Sequence, residues 1–149
     1  MNIQTCEPGA TRVTYTMDDG VTLVGETFGA VDAPPVILAH GGGQTRYAWS
    51  RVAKRLGDAG WHAVALDLRG HGESDWDPAG DYTIPRFGCD LAEVARRFTK
   101  EPVIVGASLG GNAGLLVAGQ GGEAPCRGLV LVDITPKIDE KGVDKIIGF

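Results

Sequence analysis

Gly106-Ala107-Ser108-Leu109-Gly110 sets a serine midway between two glycines, the pattern G-x-S-x-G. A serine hydroxyl can attack a carbonyl carbon if it stands exposed and if N–H groups await the negative charge that attack places on the carbonyl oxygen. The neighbouring sequence provides for both. Pro102-Val103-Ile104-Val105 is a short apolar run of the kind that forms a strand buried on both faces, and Leu109 to Ala118 reads as a helix of small and apolar residues. A sharp turn between the two lifts Ser108 above the strand ends, and glycines at 106 and 110 let backbones approach where a Cβ would collide. The N–H of Leu109, at the helix start, then points at a developing oxyanion. A helix N-cap serine in a glycine-rich turn is the plainer alternative.

His40-Gly41-Gly42-Gly43 is the second stretch with chemical potential. It follows the apolar run Val36 to Ala39 and precedes a helix expected from about Arg46, so in a parallel sheet it emerges at the same carboxyl edge as Ser108. The N–H of Gly42, ahead of that of Gly43, would complete an oxyanion hole with Leu109. A phosphate cradle is the rival use of such glycines. The run lacks both G-K-[ST] and G-x-G-x-x-G, however, and continues Gln44-Thr45-Arg46.

These residues need a frame, and 149 residues suffice for one domain. The composition, 43% hydrophobic and 22% charged, is that of a globular core. A net charge of −5 argues against a nucleic-acid partner or an anionic membrane surface. No stretch approaches the roughly 18 to 20 unbroken apolar residues of a membrane helix. Met1 to Pro8 lacks the basic and apolar regions of a signal peptide, so a cytoplasmic location is expected. Cys6, Cys89 and Cys126 are too scattered for a disulfide framework or a zinc site and read as free thiols. No His/Cys/Asp cluster has ligand spacing, so neither a metal nor an organic cofactor is expected.

The order of elements follows from periodicity. Thr11 to Gly29 reads as a hairpin around Asp18-Asp19-Gly20, and Pro35 to Ala39 as a buried strand. A helix from about Arg46 to Ala59 carries an apolar stripe of Trp49, Val52, Ala53, Leu56 and Ala59. Trp61 to Leu68 is a strand, Arg69 to Thr83 a polar loop, and a helix from about Pro85 to Thr99 buries Phe87, Leu91, Val94, Ala95 and Phe98. Arg127 to Ile134 forms a further strand, and Gly142 to Phe149 begins another helix. This alternation predicts one α/β domain, with a mostly parallel sheet preceded by an antiparallel hairpin.

The sequence resembles the amino-terminal portion of the α/β-hydrolase fold superfamily. The resemblance rests on His40-Gly41-Gly42-Gly43, Asp67-Leu68-Arg69-Gly70-His71-Gly72-Glu73-Ser74, Gly106-Ala107-Ser108-Leu109-Gly110 and Leu129-Val130-Leu131-Val132-Asp133, which occur in the family's order. The flavour is that of the serine-dependent esterases, C–C hydrolases and cofactor-free haloperoxidases. It implies that Ser108 is the nucleophile of an acyl transfer on a small-molecule ester or related acyl substrate, with oxyanion N–H groups from Gly42 and Leu109. Epoxide hydrolases and haloalkane dehalogenases resemble the pattern too, but carry Asp at the elbow to displace at an sp³ carbon.

A serine nucleophile needs a base and an orienting carboxylate. By resemblance His40 braces its turn, His71 belongs to a structural turn, and the base follows an eighth strand. His62 reads as a packing or surface residue. The acid usually follows the seventh strand; Asp133, at the end of the sixth, is a minority candidate, and Asp67 and Asp75 look like loop-fixing carboxylates. Thr135 to Val143 resembles the approach to a cap helix. The expectation is therefore that residues 1–149 are the amino-terminal part of a longer hydrolase core, of about six strands and inactive alone, with strand six as a bare and association-prone edge. Two other functions compete: a pseudo-hydrolase serving as a small-ligand or interaction module, and phosphate binding at the glycine loops.

Overall fold

The computed structural model describes residues 9–134. The expected helix at Gly142 to Phe149, Cys6 and the approach to a cap lie outside the described residues. Strands β1 (Thr11–Thr16) and β2 (Thr22–Phe28) form the antiparallel hairpin, closed by the Met17 N–H donating to the Val21 carbonyl at 2.8 Å. Then come β3 (Pro35–Ala39), a 3₁₀ turn (Arg46–Trp49) leading into α1 (Ser50–Asp58), β4 (His62–Leu66), α2 (Ile84–Ala95), β5 (Val103–Ala107), α3 (Leu109–Ala118) and β6 (Gly128–Val132). A short 3₁₀ turn, Gly121–Glu123, separates the last two. The strands make one six-stranded sheet in the order β1-β2-β4-β3-β5-β6, antiparallel through β2–β4 and parallel from β4 to β6.

Continuous apolar runs went to the centre. Every residue of β3 and β4 is buried, because helices cover both faces of the sheet there. The period of two divides the strands between two cores. Leu23, Ile37, Val64 and Ile104 face α2 and α3, with Phe87, Leu91, Val94, Ala113 and Val117. Val36, Leu38, Ala63 and Ala65 face α1, with Ala53 and Leu56.

Two helical expectations need correction. The segment from Arg46 to Ala59 is not one α-helix: its first turn is 3₁₀, which shifts the phase of the stripe. Ala53 is buried and Leu56 half-buried, while Val52 and Ala59 face solvent. The second helix stops at Ala95 rather than Thr99. Beyond it the backbone tightens, with Arg97 N–H donating to the Val94 carbonyl and Phe98 N–H to that of Ala95, and the Phe98 ring turns toward His62, 6.0 Å between centroids.

β6 is an edge among the described residues, pairing there with β5 alone. Its Leu129 and Leu131 pack against glycines of α3, while Val130 and Val132 are 48% and 39% exposed. None of the described helices is long and apolar enough to cross a membrane.

Candidate active site

Ser108 joins β5 to α3 with φ 46° and ψ −110°, in a region that L residues rarely occupy. Such a conformation costs about 1–3 kcal/mol and persists only where the surroundings dictate it. The surroundings here are contacts that only glycine allows. A Cβ on Gly106 would lie 2.4 Å from the Gly110 carbonyl oxygen, and one on Gly110 would lie 2.4 Å from the Ala39 carbonyl oxygen. The helix start is thus pressed between β5 and β3. Gly110 N–H donates to the His40 carbonyl at 3.1 Å and Asn112 N–H to the Ser108 carbonyl at 2.9 Å, and Ser108 itself remains exposed.

The glycine run forms a turn over the same edge. Gln44 N–H donates to the Gly41 carbonyl at 3.1 Å, and Gly41 N–H to the Gln44 side-chain oxygen at 3.0 Å. Gly43, at φ +75°, donates its N–H to His71 Nε2 at 3.1 Å. Of the three glycines, Gly42 alone has an N–H with no acceptor among the described residues. The same holds for the N–H of Leu109. Both N–H groups lie at the carboxyl edge of the sheet and belong to the two residues expected from the sequence to face an oxyanion.

His40 and His71 hold the turn rather than stand free. His40 is fully buried; its Nε2 accepts from Leu68 N–H at 3.0 Å, so Nδ1 carries the proton and donates to the Gly41 carbonyl at 2.7 Å. Burial pushes this imidazole below its usual range. His71 Nε2 accepts from Gly43, so its Nδ1 donates, to the Arg69 carbonyl at 2.9 Å. Both rings are therefore neutral Nδ1–H tautomers, with centroids 4.9 Å apart. His62 opens β4 at the opposite edge of the sheet, buried beside Phe98, with burial lowering its pKa.

Asp67 and Asp75 fix loops. Asp67 accepts from the backbone and guanidinium of Arg46 and from Glu73 N–H, and Asp75 accepts from Thr22 N–H at 2.9 Å. Asp133, exposed at φ 53°, follows Val132 just as Ser108 follows Ala107, and those two strand residues are register partners. It thus lies beside Ser108 on the neighbouring strand end.

Sequence reasoning missed the buried cations. Arg46, 1% exposed, meets Glu26 at 3.1 Å, Glu73 at 2.7 Å and Asp67. Arg69, 0% exposed, meets Asp90 at 2.7 Å, Asp19 at 2.8 Å and Asp77 at 3.1 Å. These carboxylates come from four separate segments, so no local spacing announced them. At the start of α3 opens a cavity of about 420 Å³ lined by Arg69, Gly70, His71, Trp76, Tyr82, Phe87 and Leu109. No group of three or more metal-ligating side chains occurs among the described residues.

A family model described as alpha/beta hydrolase fold matches residues 34–145. The esterase Rv0045c of Mycobacterium tuberculosis is 40% identical over 105 residues, which are 70% of this chain and 34% of that protein. Epoxide hydrolase A of the same organism is 42% identical over 74 residues, 49% of this chain and 23% of that one. Among solved structures, an alpha/beta hydrolase from Novosphingobium aromaticivorans superimposes with a TM-score of 0.82 at 28% identity, covering 95% of this chain and 50% of its own. The chain spans about a third or less of these curated relatives and half of that solved chain.

Proposed function

The chain belongs to the alpha/beta hydrolase fold family, and from that premise we propose that the whole protein is a serine hydrolase acting on a small-molecule ester or related acyl substrate through an acyl-enzyme at Ser108. The observation that carries this reading is the conformation of Ser108, exposed at φ 46° between a strand and a helix start. Attack forms a bond from Oγ to the acyl carbon while the hydroxyl proton passes to a base. The carbonyl electron pair moves onto oxygen, where the free N–H groups of Gly42 and Leu109 receive it. Collapse expels the alcohol, which takes the proton back, and water repeats the sequence to release the acid.

The base lies outside residues 9–134, since His40 and His71 have both nitrogens engaged and His62 is at the far edge. Asp133 stands where it could orient such a base. Serine at the elbow also separates this chain from chemistry at an epoxide carbon, which resemblance assigns to an elbow aspartate. The same lack of a free histidine among the described residues favours a second reading, a pseudo-hydrolase that binds a small ligand without turning it over.

Treating the full-length protein with a fluorophosphonate probe and mapping the adduct distinguishes the two. The expected result is a single adduct on Ser108 that the Ser108→Ala variant lacks, together with ester hydrolysis that the variant loses by at least ~10³-fold. A protein that stays unlabelled and does not hydrolyse esters would be the pseudo-hydrolase.

A further inference from the structure

We propose that His71 is a positioning residue whose Nε2 latches the glycine turn, leaving Gly42 as the turn's free donor and holding it in place. This rests on the oxyanion role given above to Gly42. The tip of the turn has no packing of its own: Gly42 and Gly43 are exposed, and a Cβ on either would meet nothing within 4 Å. Gly43 sits at the third position of a four-residue turn with φ +75°, the type II arrangement. In a Gly-Gly pair the central peptide can flip toward the type I arrangement at little steric cost. Among the described residues, the tip's one bond to another segment is Gly43 N–H to His71 Nε2, at 3.1 Å.

The latch is itself anchored. His71 Nδ1–H donates to the Arg69 carbonyl, which fixes the tautomer that leaves Nε2 able to accept. The ring lies 4.9 Å from His40 and edge-on to Phe87 at 6.3 Å. Arg69 is in turn held by Asp90, Asp77 and Asp19. A chain of contacts therefore runs from a buried ion cluster through one imidazole to the turn, independent of the α3 start that presents Leu109. The bond also sequesters the Gly43 N–H, which would otherwise compete with Gly42 for negative charge.

The test uses the full-length protein as wild type, His71→Gln and His71→Phe. Glutamine keeps an acceptor near the Nε2 position, whereas phenylalanine keeps the ring and loses both hydrogen bonds. Fluorophosphonate labelling at several probe concentrations separates the maximal reaction rate from half-saturation, and NMR follows amide exchange at Gly42 and Gly43. With phenylalanine the maximal rate should fall ~10- to 100-fold, less than or similar to the loss of one oxyanion donor, with half-saturation within ~2-fold. Glutamine should restore the rate to within ~3-fold of wild type, and the wild-type Gly43 amide should exchange at least ~10-fold more slowly than that of Gly42.

A phenylalanine variant as fast as wild type, or a glutamine variant as slow as phenylalanine, would overturn the proposal; the latter outcome would make His71 a proton carrier. Equal exchange at the two glycines overturns it without any variant, so a phenylalanine protein that fails to fold leaves the question decidable. If wild type shows no Ser108 adduct, it is the hydrolase reading that fails, while the Gly43 exchange still reports whether the latch exists.

Discussion

Charge burial is the unusual feature at the scale of single residues. Arg46 is 1% exposed, and its partners Glu26 and Asp67 are 1% and 0% exposed. A buried pair is weak support for stability against an apolar substitute of the whole cluster, but removing one partner strands the others. Arg46→Met should therefore destabilise the protein by about 3–5 kcal/mol, read from urea unfolding. A loss below ~1 kcal/mol would mean that water reaches Glu26 and Asp67. Acid should act on the same framework in two stages. His40 and His62 have pKa values pushed below the usual 6.5 by burial, so the unfolded chain binds protons before the folded one and stability falls as pH drops below about 6.5. The hydrogen bond from Arg46 holds Glu73 below 4.5; burial raises Asp19, but its bonds to Arg69 outweigh that and hold it below 3.8. For these carboxylates too, unfolded protons exceed folded ones, so a second loss begins as pH falls through about 4.5. Melting temperature followed from pH 8 to pH 3 should show both limbs, and a flat profile between pH 7 and pH 5 would contradict the first.

At the scale of elements, the placement of α3 decides the geometry of Ser108. Gly110→Ala puts a Cβ 2.4 Å from the backbone oxygen of Ala39, which cannot move without disturbing β3. The variant should lose about 1–3 kcal/mol by overpacking, and the tilted helix start should slow probe labelling of Ser108 as well. Gly122→Ala, whose Cβ meets nothing within 4 Å, serves as the neutral control in the same melting and labelling assays. The sequence announced α3 and β5 because a continuous apolar run and an Ala/Gly/Leu stretch flank the serine motif. Both glycines of that motif also proved to be points of close approach. It did not announce the 3₁₀ turn at Arg46, since periods of 3.0 and 3.6 hardly diverge over four residues. Nor could it announce the end of α2, where Phe98 continues the helical stripe but is reached through tighter turns. The bond from Gly43 to His71 spans 28 residues and joins the loops that follow β3 and β4, so only the parallel pairing of those strands brings it into being.

At the scale of the whole sheet, β6 ends the parallel side among the described residues, and one of its faces carries no helix there. α1 covers β2, β3 and β4, and the same face continues over Val103 and Val105 of β5 to Val130 and Val132 of β6. The other face of β6 is spoken for, with Leu129 and Leu131 seated on the glycines of α3. An apolar strip with unpaired backbone groups at a sheet edge invites another strand, and lysine is the residue that edge strands use to discourage it. Residues 1–149 produced alone should accordingly self-associate, with a sedimentation coefficient that rises with concentration between about 5 and 200 µM. Val130→Lys or Val132→Lys should return the chain to a monomer without lowering its unfolding free energy by more than the ~0.5 kcal/mol typical of exposed positions. A wild-type chain that stays monomeric across that range would show the strip to be covered. Because Asp133 follows directly on Val132, whatever covers this strip also borders the site, and the lysine variants test whether Ser108 labelling depends on it.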